Sequence, residues 1–380
     1  MYLCTKIRIV YVEIARNNRI NSYFCFLEHM KFLLKFIFIV VSFNGFLLHG
    51  QDVQFSQYYN SALYSNPAFA GTGNNTRLGL NYRSQWTNVA KPYNTFALWG
   101  DHFIESARTG VGLWIMRDAQ GQARTNSTEI NGSVSYLIPL ENGWSFRPGL
   151  QVGMVIRDGN YANALFGDQI DNNGTTGTGS TDPLLQNNPS KVFADIGAGG
   201  LVYNRNFWFG IGFNHINTPN QSFTNVSGYD LPVRINIQTG YKIMLTGGGG
   251  YKNYKPAGSK EISLTPTLNF KNQGSNNQLD IGLYYTYNPI MIGLWYRGIP
   301  VLSNNGKPNH EALIPMIGYA HKAWTFTYSY DYTISSLTTT QSGGSHEISL
   351  IYEFKVPYKK SKANSRIIPC PNFQRNYQTY

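Results

Sequence analysis

The chain has 380 residues and a formal net charge of +11, from 31 Lys and Arg against 20 Asp and Glu. Charged residues are only 13%, against roughly a quarter in an average globular domain, while aromatics reach 15%, with 27 tyrosines and 38 glycines. This balance argues against a soluble, charge-coated enzyme. A mean hydropathy of −0.29, with no apolar run of about 20 residues after Gly50, argues against helical membrane spans.

Reading from the N-terminus, residues 1–29 carry charges and no export logic, and are expected to be an over-extended start. From Met30 the sequence runs Met-Lys-Phe-Leu-Leu-Lys, then uncharged from Phe36 to Val41 and on to Leu48, His49 and Gly50. A basic stretch, a short apolar stretch and a small residue make a secretory signal peptide over 30–50, too short for a good membrane span. Cleavage after Gly50 makes Gln51 the first mature residue. The mature chain then keeps 25 basic and 18 acidic residues, a net of +7, and of the cysteines at 4, 25 and 370 only Cys370. An intrachain disulfide framework is thereby excluded, as is a cysteine zinc site. Six of the basic residues fall in the last 26 positions, which hold no acid. The basic balance thus belongs mainly to a tail, and no basic face for nucleic acid is expected.

Residues 51–75 form a pre-barrel segment, too irregular for a strand but holding Phe55, Tyr58, Tyr59, Leu63, Tyr64 and Phe69. So many aromatics are a liability in water. The segment is expected to tuck into the lumen or against the periplasmic rim, with Pro67 and Gly71 setting its turns.

From 76 to 355 the pattern alternates with period two. Leu279, Ile281, Leu283, Tyr285 and Tyr287 interleave with Asp280, Gly282, Tyr284, Thr286 and Asn288. Successive side chains of a strand point to opposite faces, so each segment has one apolar and one polar face. The segments are about 10–14 residues long, where soluble strands average five or six and a tilted membrane strand needs about 9–11. Fourteen are counted: 76–86, 94–104, 109–117, 125–138, 144–157, 191–203, 206–216, 232–245, 261–272, 278–288, 290–302, 311–321, 323–333 and 346–354. The expected fold is all-β, a transmembrane outer-membrane β-barrel of about 14 antiparallel strands. With both termini periplasmic, the odd connectors are external, and 158–190, 217–231, 303–310 and 334–345 are long. The even ones are short, except 246–260, for which the sequence offers no account. Leu80, Ile211, Leu283, Leu294 and Phe326 are expected to face lipid.

The polar faces carry Arg77, Arg83, Arg147, Arg157, Arg234, Lys242 and Arg297, with Glu129, Asp195, Asp280, Asp331 and Glu347. These either line a selective pore or pair across the lumen and fill it. No catalytic, cofactor or metal set stands out. The histidines at 102, 215, 310, 321 and 346 fit neither GxSxG nor HExxH. His215 and Ser222 share one external region, but catalysis there is not expected. The loop Gly167–Asp182 superficially suggests a calcium loop, yet Ser180 stands where a bidentate Glu is required. A polar, flexible loop is the better reading.

In the last strand Glu347, Tyr352 and Phe354 fit an assembly signal of polar, Gly and two aromatic positions, with Ser349 in place of Gly. Residues 356–380 then form a basic periplasmic tail in which Pro357, Pro369 and Pro371 prevent regular pairing. Lys359, Lys360, Lys362, Arg366, Cys370 and Phe373 are its candidate partner-docking residues, with Ile367, Ile368 and Tyr377 as further apolar anchors.

Several segments together resemble the PorP/SprF family of type IX secretion system outer-membrane proteins. They are Gln54-Phe-Ser-Gln-Tyr-Tyr59, Leu63-Tyr-Ser-Asn-Pro-Ala-Phe-Ala-Gly71 (with Asn66, Pro67 and Gly71 as its turn motif) and Asn81-Tyr-Arg-Ser-Gln-Trp86. Further along come Asn288-Pro-Ile-Met-Ile-Gly-Leu-Trp-Tyr-Arg-Gly298, Tyr328-Ser-Tyr-Asp-Tyr332, Gly343-Gly-Ser-His-Glu-Ile-Ser-Leu350 and Cys370-Pro-Asn-Phe373. The resemblance implies a non-enzymatic protein without cofactor, seated in outer-membrane lipid. It also implies a part in export or surface attachment of cargo with a C-terminal sorting domain, such as the adhesins of gliding motility. Implied partners are periplasmic ring or lipoprotein components. A passive porin or hydrophobic-solute channel is the alternative, and steady conductance is the observation that would favour it.

Overall fold

The computed structural model describes residues 52–73, 76–121, 125–161, 165–171, 174–182, 189–223, 228–245, 262–304, 307–335, 339–354 and 368–369. The leader 30–50, the segment 1–29 and the connector 246–260 lie outside them.

Among the described residues fourteen long strands form the wall: β1 Arg77–Gln85, β2 Tyr93–Ile104, β3 Thr109–Gln120, β4 Thr125–Tyr136, β5 Ser145–Gly159, β6 Ser190–Tyr203 and β7 Phe207–Asn214. They continue as β8 Arg234–Tyr241, β9 Ile262–Gln273, β10 Asn276–Tyr287, β11 Ile290–Asn304, β12 Lys307–His321, β13 Trp324–Thr333 and β14 Ser345–Glu353. Each strand pairs antiparallel with the next. β1 pairs back onto β14, from Arg77↔Glu353 to Gln85↔Ser345, which closes the sheet. Closure leaves no unpaired edge, the condition for a sheet to cross a bilayer.

One end of the barrel carries tight turns, such as those between β10 and β11 and between β12 and β13. The other carries the longer loops, 160–189 and 215–233 among them. One expected long loop is absent. β11 runs to Asn304 and β12 starts at Lys307, so 303–310 is mostly paired backbone. Register shifts after Arg297 and Ile299 break the period-two pattern there, which is why alternation ended the strands too early.

Alternation sets the two faces. Leu80, Leu283, Leu294 and Phe326 are exposed on the outer surface, with Ile211 half-buried among them. Small and polar residues such as Ser133, Ser135, Ser263, Thr265 and Thr267 point inward and are buried. Three tryptophans also point inward, each lying across a glycine of the neighbouring strand: Trp99 opposite Gly79, Trp208 opposite Gly240 and Trp295 opposite Gly282. A Cβ on any of these glycines would sit 2.2–2.3 Å from the indole. The glycine is what lets each ring lie flat on the wall. The core of this molecule is therefore in the lumen, and the strands supply only its outer shell.

Candidate functional site: the filled lumen

The segment 52–73 occupies the lumen. Its local shape comes from its own residues: a short helix Ala62–Ser65, then a single 3-10 turn Pro67–Phe69. The Asn66 side chain accepts from the Ala68 N–H at 2.9 Å and caps that turn, with Pro67 at the position where a missing N–H costs nothing. Gly71 takes φ +65°, which only glycine adopts freely.

At the loop end Asp52 anchors the segment. Its carboxylate takes Arg234 Nη1 at 2.7 Å and His215 Nε2 at 2.6 Å, and its N–H donates to the Gln273 side chain at 3.1 Å. His215 Nδ1 is in turn 2.8 Å from Asp195. Burial opposes ionisation of Asp52, but the charges of His215 and Arg234 outweigh it and hold the carboxyl well below the usual range. Burial likewise opposes the charged form of His215, which lies just beyond β7. The Asp52 charge and the two carboxylate hydrogen bonds prevail and push it up to about 10. With both ring nitrogens on carboxylates, His215 has none left to activate Ser222.

Toward the loop ends of β1, β13 and β14, together with β10 and β11, the wall contributes two arginines and three acids, all buried. Arg83 reaches Asp331 at 2.8 Å and Glu347 at 3.1 Å, while Arg297 reaches Asp331 at 2.9 Å and Asp280 at 3.1 Å. Two arginines do not satisfy three carboxylates, and the plug supplies the rest. Ser56 Oγ donates to Asp331 at 2.8 Å, and the backbone N–H groups of Ser56 and Gln57 donate to Glu347 at 2.7 and 3.1 Å. The Tyr58 hydroxyl donates to Asp280, and the Gln57 amide donates to Ser329 Oγ at 3.1 Å. Such donors offset the cost of burying the three carboxylates, and Glu347 and Asp280 would lose them without the plug.

Elsewhere the wall thins to glycine where plug backbone touches it. A Cβ on Gly110 would lie 2.0 Å from the Ala70 carbonyl, and one on Gly212 2.3 Å from that of Ser65. Asn66 Nδ2 donates to the carbonyls of Ile211 at 3.1 Å and Gly200 at 3.2 Å. Near the turn end the Arg147 guanidinium donates to the Ala70 carbonyl at 2.8 Å, and Gly71 N–H donates to Asp101 at 2.8 Å. Asp101 also holds Arg77 at 2.6 Å. Aromatic contacts lock the rest: Phe55 edge-on to Trp114, Tyr59 edge-on to Trp208 and Tyr284, and Tyr58 against Trp295.

The sequence-predicted residues fall into separate places. Asn66, Pro67 and Gly71 are plug residues at the wall. Glu347 belongs to the buried charge network, while Tyr352 lies on the outer face between Trp324 and Phe354. Lys359, Lys360, Lys362, Arg366, Cys370 and Phe373 lie outside the described residues. Ile368 was expected to anchor a partner; instead it is buried, in one cluster with Phe103, Leu137, Tyr203 and Trp208 of its own barrel. An apolar side chain at the end of a wall-lining cluster loses more water there than at a wet interface. In the 167–182 loop Asp168 accepts from Ser180 Oγ at 2.7 Å and Thr181 N–H at 2.8 Å. These bonds give the loop local order and lower the carboxyl. Among the described residues no cluster of metal-ligating side chains occurs. The wall arginines were legible as inward-facing; Asp52 and Asp101 were not, nor was which arginine each would hold.

A family model described as "Type IX secretion system membrane protein PorP/SprF" matches residues 47–352. No curated protein matches the chain. Similar solved structures include a deltaS2 mutant of the TodX monoaromatic hydrocarbon channel, 11% identical, TM-score 0.40, covering 78% of this chain and 94% of that one. The KdgM porin is 10% identical, TM-score 0.32, covering 73% and 99%. A triple mutant of Rhodopseudomonas blastica porin is 6% identical, TM-score 0.29, covering 74% and 99%.

Proposed function

The chain belongs to the PorP/SprF family of type IX secretion system membrane proteins, and from that premise we propose that it is a non-conducting, non-enzymatic outer-membrane component that helps export or hold secreted cargo at the cell surface. The cargo is a protein with a C-terminal sorting domain, such as an adhesin. The observation that supports this over a passive porin is the filled lumen, where Ser56, Gln57 and Tyr58 hydrogen-bond into the buried charge network of Arg83, Arg297, Asp280, Asp331 and Glu347. A porin needs a wet, open path. This barrel spends its interior on holding its own chain.

With the interior occupied, partners engage the two ends. The turn end faces the periplasm in this reading, and the basic residues Lys359, Lys360, Lys362 and Arg366 meet an acidic surface of a ring or lipoprotein component there. Opposite charge speeds such encounters. Deleting the gene and following cargo by surface immunolabelling tests the reading. Cargo should be lost from the surface while the other outer-membrane proteins stay in place. Unchanged display in the deletion strain would refute it.

A further inference from the structure

The plug runs into the wall at the turn end. There Arg77 opens β1 opposite Glu353, the last residue of β14, and Thr72 Oγ1 lies 3.4 Å from the Arg77 guanidinium. The far end of the plug, Asp52, is held at the loop end by Arg234, Gln273 and His215. A segment hinged at the turn end empties the lumen only by swinging out through the turn-end mouth. What occupies that mouth therefore decides whether the plug can leave.

A second piece of chain is found there. The Phe354 N–H donates to the Thr76 carbonyl at 3.0 Å, so the chain leaves β14 at the turn end. Fourteen positions on, Ile368 is 2% exposed, and Pro369 beside it is buried. Ile368 belongs to one cluster with the plug side chains Tyr58, Tyr59 and Phe69. The same cluster holds inward-facing residues at the turn ends of their strands, Phe103 of β2, Tyr203 of β6 and Trp208 of β7. Ile368 thus lies inside the barrel. The wall is closed by pairing, and a route around its outside to the loop end would carry unpaired backbone through hydrocarbon, which is not tolerated. Ile368 has entered through the turn-end mouth.

We propose that Ile368 is a bolt for the plug: seated in that cluster, it bars the mouth through which the plug would leave, and unseating it frees the plug. One isoleucine does not fill the mouth of a fourteen-stranded barrel, so it acts as an obstacle in the plug's path and not as a seal. Its hold is apolar burial. Pro369 has few backbone states to lose on seating, which favours the seated form. The carboxy-terminal tail and the amino-terminal plug are coupled in this way, and a partner that drew Ile368 off the mouth would loosen the plug.

Two measurements on the full-length barrel test the bolt. In a background free of other cysteines, Ile368→Cys should react with a maleimide at least about tenfold more slowly than Glu141→Cys, because reaction at a buried site waits on local opening. Glu141 is exposed on the turn between β4 and β5, and equal rates overturn the seating. Chymotryptic cleavage inside 52–73, followed by mass spectrometry, should be several-fold faster in Ile368→Asp than in the wild type and near the wild-type rate in Ile368→Val. Cleavage elsewhere in the barrel should not change. An unchanged rate inside 52–73, or an equal rise everywhere, overturns the proposal. If the aspartate variant does not assemble, Ile368→Ala takes its place, and a wild-type rate there overturns the proposal equally.

Discussion

The Asp52–His215–Asp195 chain with Arg234 is the point at which single protonation events reach the whole plug. The two shifts run in opposite directions, and their signs fix a pH window. Unfolded, an aspartate takes up its proton at about 3.9; folded Asp52 does so well below that. Its stabilisation is complete above the unfolded value and is lost as pH falls through the folded one. Unfolded histidine titrates at about 6.5 and folded His215 at about 10. Its stabilisation is complete below 6.5 and fades as pH rises through 10. The plug should therefore hold best from about pH 4 to 6.5, and thermal unfolding followed by tryptophan fluorescence across pH should show an alkaline decline that His215→Gln abolishes. Asp52→Asn leaves both cations facing a neutral amide and should cost about 3 kcal/mol. A flat profile in the wild type would remove the latch from the account.

For the strands, the two faces make unequal demands. Leu283 is exposed on the outer surface, opposite Leu294 of β11. Leu283→Arg should cost roughly 2–4 kcal/mol, as for a cation near the bilayer midplane. Thr327 points inward and its buried hydroxyl has no hydrogen-bond partner among the described residues, so Thr327→Ala should cost well under about 1 kcal/mol. Denaturant titration in lipid vesicles compares them, and equal costs would mean that the outer face is not lipid-facing. The sequence told this much because alternation is local: every strand announces its own two faces. It missed the paired continuation of β11 and β12, where register shifts after Arg297 and Ile299 scramble that alternation. On hydrophobicity alone it placed the aromatics of 51–75 in the lumen or against the periplasmic rim, without deciding between them. It had no means of finding their partners, since Asp52 meets His215 and Arg234 at separations of 163 and 182 residues. Glu347 was legible as an end-of-barrel position and not as an acceptor for the Ser56 and Gln57 backbone.

On the scale of the whole molecule, wall and plug depend on each other unequally. The wall is closed by its own backbone pairing from β1 to β14, so it does not need the plug to exist as a barrel. The plug has only a four-residue helix and a 3-10 turn of its own, far below what is stable in isolation; the wall gives it its shape. Removing residues 52–71 should thus leave a barrel in which Arg83, Arg297, Asp280, Asp331 and Glu347 face water, whose hydration replaces the donors lost with Ser56, Gln57 and Tyr58. A polar, hydrated lumen conducts ions. In planar bilayers the intact protein should show no steady current, and the shortened one a constant, ohmic conductance. If the shortened chain fails to fold, Asp52→Asn combined with Ser56→Ala weakens the plug at two of its anchors and should give intermittent openings instead. An intact protein that conducts as steadily as the shortened one would mean that segment 52–73 does not seal the lumen, and the porin reading would then stand.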